Sequence, residues 1–153
     1  MYKIDPDGLG EFEVHCDQKT ASGGWTVFQR RQDGSADFFR AWNDYKRGFH
    51  NLNGEFWLGL NKINRLTVSS SNKLRVELED VEGKTVFAEY SSFAATSEKA
   101  KYQLSMGSYS GTLLSSPFVF PRKNRHRNTK CRTVFTILPN CTIVTSVTAL
   151  WAS

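Results

Sequence analysis

A chain of 153 residues, 39% hydrophobic and 23% charged, is one domain's worth of polypeptide, which excludes a multidomain array and leads us to expect a single core. The net charge of +5 is unevenly spread: residues 1–112 hold 14 Lys and Arg against 15 Asp and Glu, whereas residues 113–153 hold 6 against none. Such asymmetry marks the last part either as a polyanion-binding tail or as polypeptide foreign to the domain before it.

Asp5-Pro6-Asp7-Gly8 is a turn sequence between two short β-prone pieces, Tyr2 to Ile4 and Phe12 to Cys16, and predicts a hairpin. Ser22-Gly23-Gly24 releases the chain into Trp25 to Arg30, a strand by its β-branched and aromatic content, ended by Asp33-Gly34-Ser35. Trp42, Tyr45 and Phe49 recur at helical spacing over 41–49. Glu55 to Leu60 is apolar and aromatic and reads as a buried strand, followed by a helical turn over 61–67 with Ile63 and Leu66 on one face. Leu74, Val76 and Leu78 alternate with Arg75, Glu77 and Glu79, which predicts a half-buried antiparallel strand. Glu82-Gly83-Lys84 turns it into a partner over 85–92, and Tyr102 to Met106 is a further strand. Residues 113–132, with Pro117, Pro121 and a basic run, read as loop or disorder. Residues 133–153 carry no charge and are rich in Thr, Val and Ile, which favours extended structure and risks aggregation if no sheet receives it.

A fixed order of aromatics, glycines and one cysteine runs through this pattern. It comprises Phe12 to Arg31 (F-E-V-H-C-D-Q-K-T-A-S-G-G-W-T-V-F-Q-R-R), Asp33-Gly34, Phe38-Phe39, Trp42, and Gly54-Glu55-Phe56-Trp57-Leu58-Gly59. It continues through Asn61 to Thr67 and Leu74 to Leu78, then Tyr102-Gln103-Leu104 and Gly107 to Gly111. The pattern resembles the fibrinogen-related domain, the fibrinogen C-terminal globular family that includes ficolin-, tenascin- and angiopoietin-like members. No resembling motif is read after residue 112.

The resemblance implies an α+β fold, an aromatic-rich antiparallel sheet with short helices. Residues 1–112 then form the first two subdomains, truncated at the start, and 113–153 an unrelated, partly disordered tail in place of the calcium and ligand subdomain. It places Trp25, Phe28, Trp42, Phe56, Trp57 and Leu58 in the structural core, each large side chain worth about 1.5–3 kcal/mol when buried. A sugar- or base-stacking platform is the alternative for this aromatic set. The family's calcium loop, a cluster of oxygen ligands in the last third of the domain, has no counterpart here, so no cofactor or metal residue is assigned. Asp5 and Asp7 read as turn formers. Intact relatives act, by resemblance, in carbohydrate recognition in innate immunity, cell adhesion, matrix organisation, coagulation and receptor binding. The implied partners are acetylated glycans, receptors or matrix proteins, and the implied location is extracellular. Residues 1–8 carry no export signal, which is expected upstream, as is the family partner of Cys16. The expected role is an extracellular recognition or adhesion module whose calcium-linked pocket is lost. The alternatives are a truncated isoform, non-functional or regulatory, and a structural fragment that self-associates through the sheet edge left by the missing subdomain.

No enzyme is predicted. In Gly107-Ser108-Tyr109-Ser110-Gly111 a tyrosine takes the place of the nucleophilic serine of a G-x-S-x-G elbow, and His15, His50 and His126 are scattered. Three cysteines leave one thiol over; Cys131 and Cys141 match no closed zinc pattern and read as a disulfide or two free thiols. Asn140-Cys141-Thr142 is a glycosylation sequon. Arg122, Lys123, Arg125 and Arg127 form a local positive field suited to weak contact with heparin or nucleic acid. Residues 133–151 are long enough to cross a membrane, but Pro139, Asn140 and the threonines disfavour it. Gly23-Gly24 fits a tight backbone path better than an anion cradle.

Overall fold

The computed structural model describes residues 1–80, 82–112, 132–139 and 143–145, the last two segments as backbone. Strands β1 (Tyr2–Ile4) and β2 (Phe12–Asp17) form the predicted hairpin, with Tyr2 opposite Val14 and Ile4 opposite Phe12. The turn between them is held by the Asp7 carboxylate, which accepts the Leu9 N–H at 3.2 Å and the Arg65 guanidinium. Strand β3 (Trp25–Arg31) pairs with β2 and buries Trp25, Val27 and Phe28. Before it the chain folds tightly: a Cβ on Gly23 would stand 2.4 Å from the Gln18 carbonyl oxygen, and the Trp25 indole N–H donates to the Thr20 carbonyl. The glycine pair thus takes the tight path that lets Trp25 fold inward.

Helix α1 (Trp42–Arg47) is followed by β4 (Phe49–His50) and β5 (Phe56–Trp57), and β5 also pairs with β3. The strand expected over 55–60 is therefore two residues long. Gly59, at φ +106, turns the chain into helix α2 (Leu60–Val68), which takes Leu60 with it and buries Ile63 and Leu66.

Strands β6 (Asn72–Glu79) and β7 (Thr85–Tyr90) make the second predicted hairpin. Leu74 and Val76 face the core as their alternation requires, but Arg75 is also buried, at 8% exposure. Its guanidinium lies 4.0 Å from the Phe87 ring and bonds Glu89 at 2.6 Å. The second face of β6 is thus covered by a paired cation over aromatic carbon.

Strands β8 (Phe93–Ala95) and β9 (Leu104–Met106) form a separate ribbon, and β10 (Tyr109–Gly111) adds to β7. The strand expected from Tyr102 starts two residues later, because Lys101 and Tyr102 sit at φ +58 and +49. Neither β8 nor β10 was signalled by the sequence pattern: both are three residues long, too short to establish a period.

The tail departs most from expectation. Residues 133–139, read as extended but outside the domain, form with Arg132 the strand β11 (Arg132–Pro139), antiparallel to β3 and to β6 and lying between them. β12 (Ile143–Thr145) pairs with β11 and β6. The physical reason is that β3 and β6 otherwise face each other with unpaired backbone groups, and an uncharged β-prone segment supplies the missing ladder. The sheet order is β1-β2-β3-β11-β12-β6-β7-β10. Among the described residues, the facing edges of β3 and β6 are thus paired, and the outer strands are β1 and β10. Arg122, Lys123, Arg125, Arg127, Cys131, Asn140 and Cys141 lie outside the described residues.

Candidate functional site

Trp25, Phe28, Phe56 and Leu58 are buried in one cluster with Val14, Val27, Ile63, Leu66, Leu74 and Val76. Trp57 is half-buried at its margin, its indole N–H donating to the Tyr45 carbonyl at 2.7 Å and its ring standing edge-on to Phe28. Trp42 is a correction: it is 47% exposed and packs at the surface against Tyr102. It begins α1, a helix of six residues with none buried, so no apolar face turns it toward the core.

Several charged residues unmarked as sites in the sequence prove structural. The Glu55 carboxylate accepts N–H groups of Gln32, Asp33, Gly34 and Ala36 at 2.5–3.0 Å and the Arg31 guanidinium at 2.8 Å. Burial opposes its charge, yet these N–H donors outweigh burial and hold its carboxyl below the ordinary 4.5. The Gly54-Glu55 motif was the one available signal, since a carboxylate behind a glycine turn can gather loop N–H groups. Asp7, with Asp5 beside it, is held by Arg65, and that hydrogen bonding lowers the Asp7 pKa. Both carboxylates thus brace the hairpin turn, in keeping with turn formers. Among the described residues, no group of three His, Cys, Asp or Glu side chains could hold a metal ion. His15 contacts Arg30 through Nε2, while His50 Nε2 donates to the Asp37 carbonyl at 3.0 Å. The two histidines serve different loops and are not brought to one centre.

A groove of about 940 Å³ opens between the β1–β2 hairpin and the segment 48–53. Lys3, Glu11 and Glu13 line it from the hairpin, and His50, Asn51 and Asn53 from the segment. Phe12, Leu52, Trp57 and Leu58 add apolar surface, and Lys62 of α2 completes the lining. Lys62 is partly buried, and that burial lowers its pKa from the ordinary 10.5. The backbone beside the groove is fixed by a close crossing of residues 47–48 with 58–59. A Cβ on Gly48 would stand 2.3 Å from the Leu58 carbonyl oxygen, and one on Gly59 2.5 Å from the Arg47 carbonyl. The arrangement offers apolar contact and charges of both signs to a ligand.

The sheet, its aromatic core and the glycine crossings define a globular module of the fibrinogen type. The family described as the C-terminal globular domain of fibrinogen beta and gamma chains matches residues 1–138, and the chain belongs to it. The match runs past residue 112, where the motifs read from the sequence stop, and takes in most of β11. Mouse angiopoietin-related protein 7 is 46% identical over 132 residues, which is 84% of this chain and 37% of that protein. The chain therefore spans a little over a third of that relative's length. The fibrinogen-like globe domain of human ANGPTL2 superposes with a TM-score of 0.81 at 32% identity, covering 91% of each chain. A lamprey fibrin D-dimer, solved with the peptide ligand Gly-His-Arg-Pro-amide, gives 0.67 at 35% identity, over 76% of this chain and 38% of that one.

Proposed function

We propose that the chain is an extracellular recognition or adhesion module of the fibrinogen-related type, without enzymatic activity, that works without the family's calcium-linked pocket. One observation carries this reading: residues 113–153 contain no Asp or Glu, and a hard cation needs several carboxylate or carbonyl oxygens gathered in one short turn. The recognition class is supported by family membership and by the peptide ligand of the lamprey fibrin relative. The division at residue 112 belongs to the same proposal, with 1–112 as scaffold and the tail in place of the pocket subdomain, although β11 joins the scaffold's sheet. The test is retention on an acetylated-sugar resin with calcium and with a chelator. We expect no calcium-dependent retention; retention that the chelator abolishes overturns the loss of the pocket.

A second reading rests on the charge segregation. Arg122, Lys123, Arg125 and Arg127 contact a polyanion such as heparin weakly, with affinity that falls steeply with salt.

A further inference from the structure

Six Lys and Arg side chains among the described residues are at least partly buried: Arg30, Arg31, Lys46, Lys62, Arg65 and Arg75. Arg31 pairs with Glu55, Lys46 with Glu98, Arg65 with Asp5 and Asp7, and Arg75 with Glu77 and Glu89. Arg30 meets His15. Lys62 is the exception, with neither an ion pair nor a hydrogen bond. A partly desolvated cation with no counter-charge is costly, and an anion entering from solvent removes that cost.

The surroundings of Lys62 narrow the kind of anion. Phe12, Leu52 and Trp57 give the groove apolar surface, so the ligand carries apolar groups beside its charge. Glu11 and Glu13 line the same groove; they repel a sulfated glycan or a polyphosphate, while a single carboxylate can sit at the lysine. Among the described residues, strand β1, which contributes Lys3, pairs with β2 alone and is an outer strand of the sheet. An outer strand offers backbone N–H and C=O groups to a further strand.

We propose that this groove binds an extended peptide carrying a single acidic side chain among apolar ones, its carboxylate paired with the Lys62 ammonium and its backbone added to β1. The assignment deepens the recognition reading above and rests on the chain being a binding module, but it does not depend on calcium.

The test titrates the full 153-residue chain, in chelator, with a fluorescent acetylated and amidated Thr-Val-Glu-Val-Thr peptide and with its Gln counterpart, read by anisotropy. We expect the Glu peptide to bind about tenfold more tightly, Lys62→Met to erase that difference, Lys62→Arg to keep it, and Glu13→Gln to leave or strengthen it. Equal binding of the two peptides, binding of neither, or a preference that survives Lys62→Met overturns the assignment. So does a heparin hexasaccharide that binds more tightly than the peptide in a Lys62-dependent manner, which would make the groove a polyanion site. Because Lys62 has no ion-pair or hydrogen-bond partner among the described residues, Lys62→Met should melt no lower than the parent chain; a lower melting temperature reveals a structural partner and overturns the premise. Calcium-dependent retention on acetylated sugar, by contrast, would sink the pocket-loss reading and leave this one standing.

Discussion

The Glu55 carboxylate, 3% exposed, holds the loop 32–36 against β5 through four backbone N–H groups and Arg31. Glu55→Gln keeps the shape but replaces an acceptor oxygen with an NH2 group facing N–H donors and leaves Arg31 without its anion. We expect a loss of about 2–4 kcal/mol in urea unfolding. The Glu55 pKa is depressed in the fold, so its contribution is present above the ordinary 4.5 and is lost as pH falls through the folded value. His15 behaves differently. Burial, and then the Arg30 charge, lower it from 6.5 to about 4, so the fold holds it neutral while the unfolded chain takes up a proton. Stability from this residue is complete above pH 6.5 and drains away as pH falls toward 4. Unfolding free energies from urea titrations across that window should fall in the parent chain by on the order of 1–2 kcal/mol more than in His15→Gln.

Among the elements, the passage from β5 into α2 depends most on backbone freedom. Gly48 and Gly59 lie at φ +95 and +106, and a Cβ on either would stand within 2.5 Å of carbonyl atoms of the crossing segment. Backbone atoms cannot swing aside as the end of a side chain can. Gly48→Ala or Gly59→Ala should therefore each cost more than about 2 kcal/mol. Gly54→Ala is the control, since nothing there comes nearer than 3.9 Å; it should stay within about 1 kcal/mol. Thermal or urea unfolding of the three variants separates them. The same crossing explains why the apolar run 55–60 misleads. Composition points to a strand, and β-propensity is only a preference for a pleated, half-buried surface, while a glycine at positive φ ends the ladder after Trp57. Where alternation runs over a full strand, as in β6 and β7, the predicted pairing appears, with Val76 opposite Ala88 and Leu78 opposite Val86.

For the whole molecule, β11 joins the two predicted hairpins into one sheet. Ending the chain at residue 131 would bare the facing edges of β3 and β6, and unpaired strand edges pair with whatever is available. Such a truncated chain should show an apparent mass that rises more steeply with concentration than that of the 153-residue chain, as light scattering behind size-exclusion chromatography will read. Local pattern determined the β1–β2 and β6–β7 hairpins and the helical turn that buries Ile63 and Leu66, because each of these signals lies within a few neighbouring residues; the inward place of Trp25, Phe28, Phe56 and Leu58 was implied by the family resemblance of the motifs that hold them. Tertiary structure alone decided that Trp42 stays at the surface, that Glu55 gathers the loop from 32 to 36, that β11 enters between β3 and β6, and that Lys62 lines a groove without an ion-pair partner among the described residues. Each of those outcomes rests on contacts between residues distant along the chain, and neither periodicity nor composition carries information about which distant group will arrive.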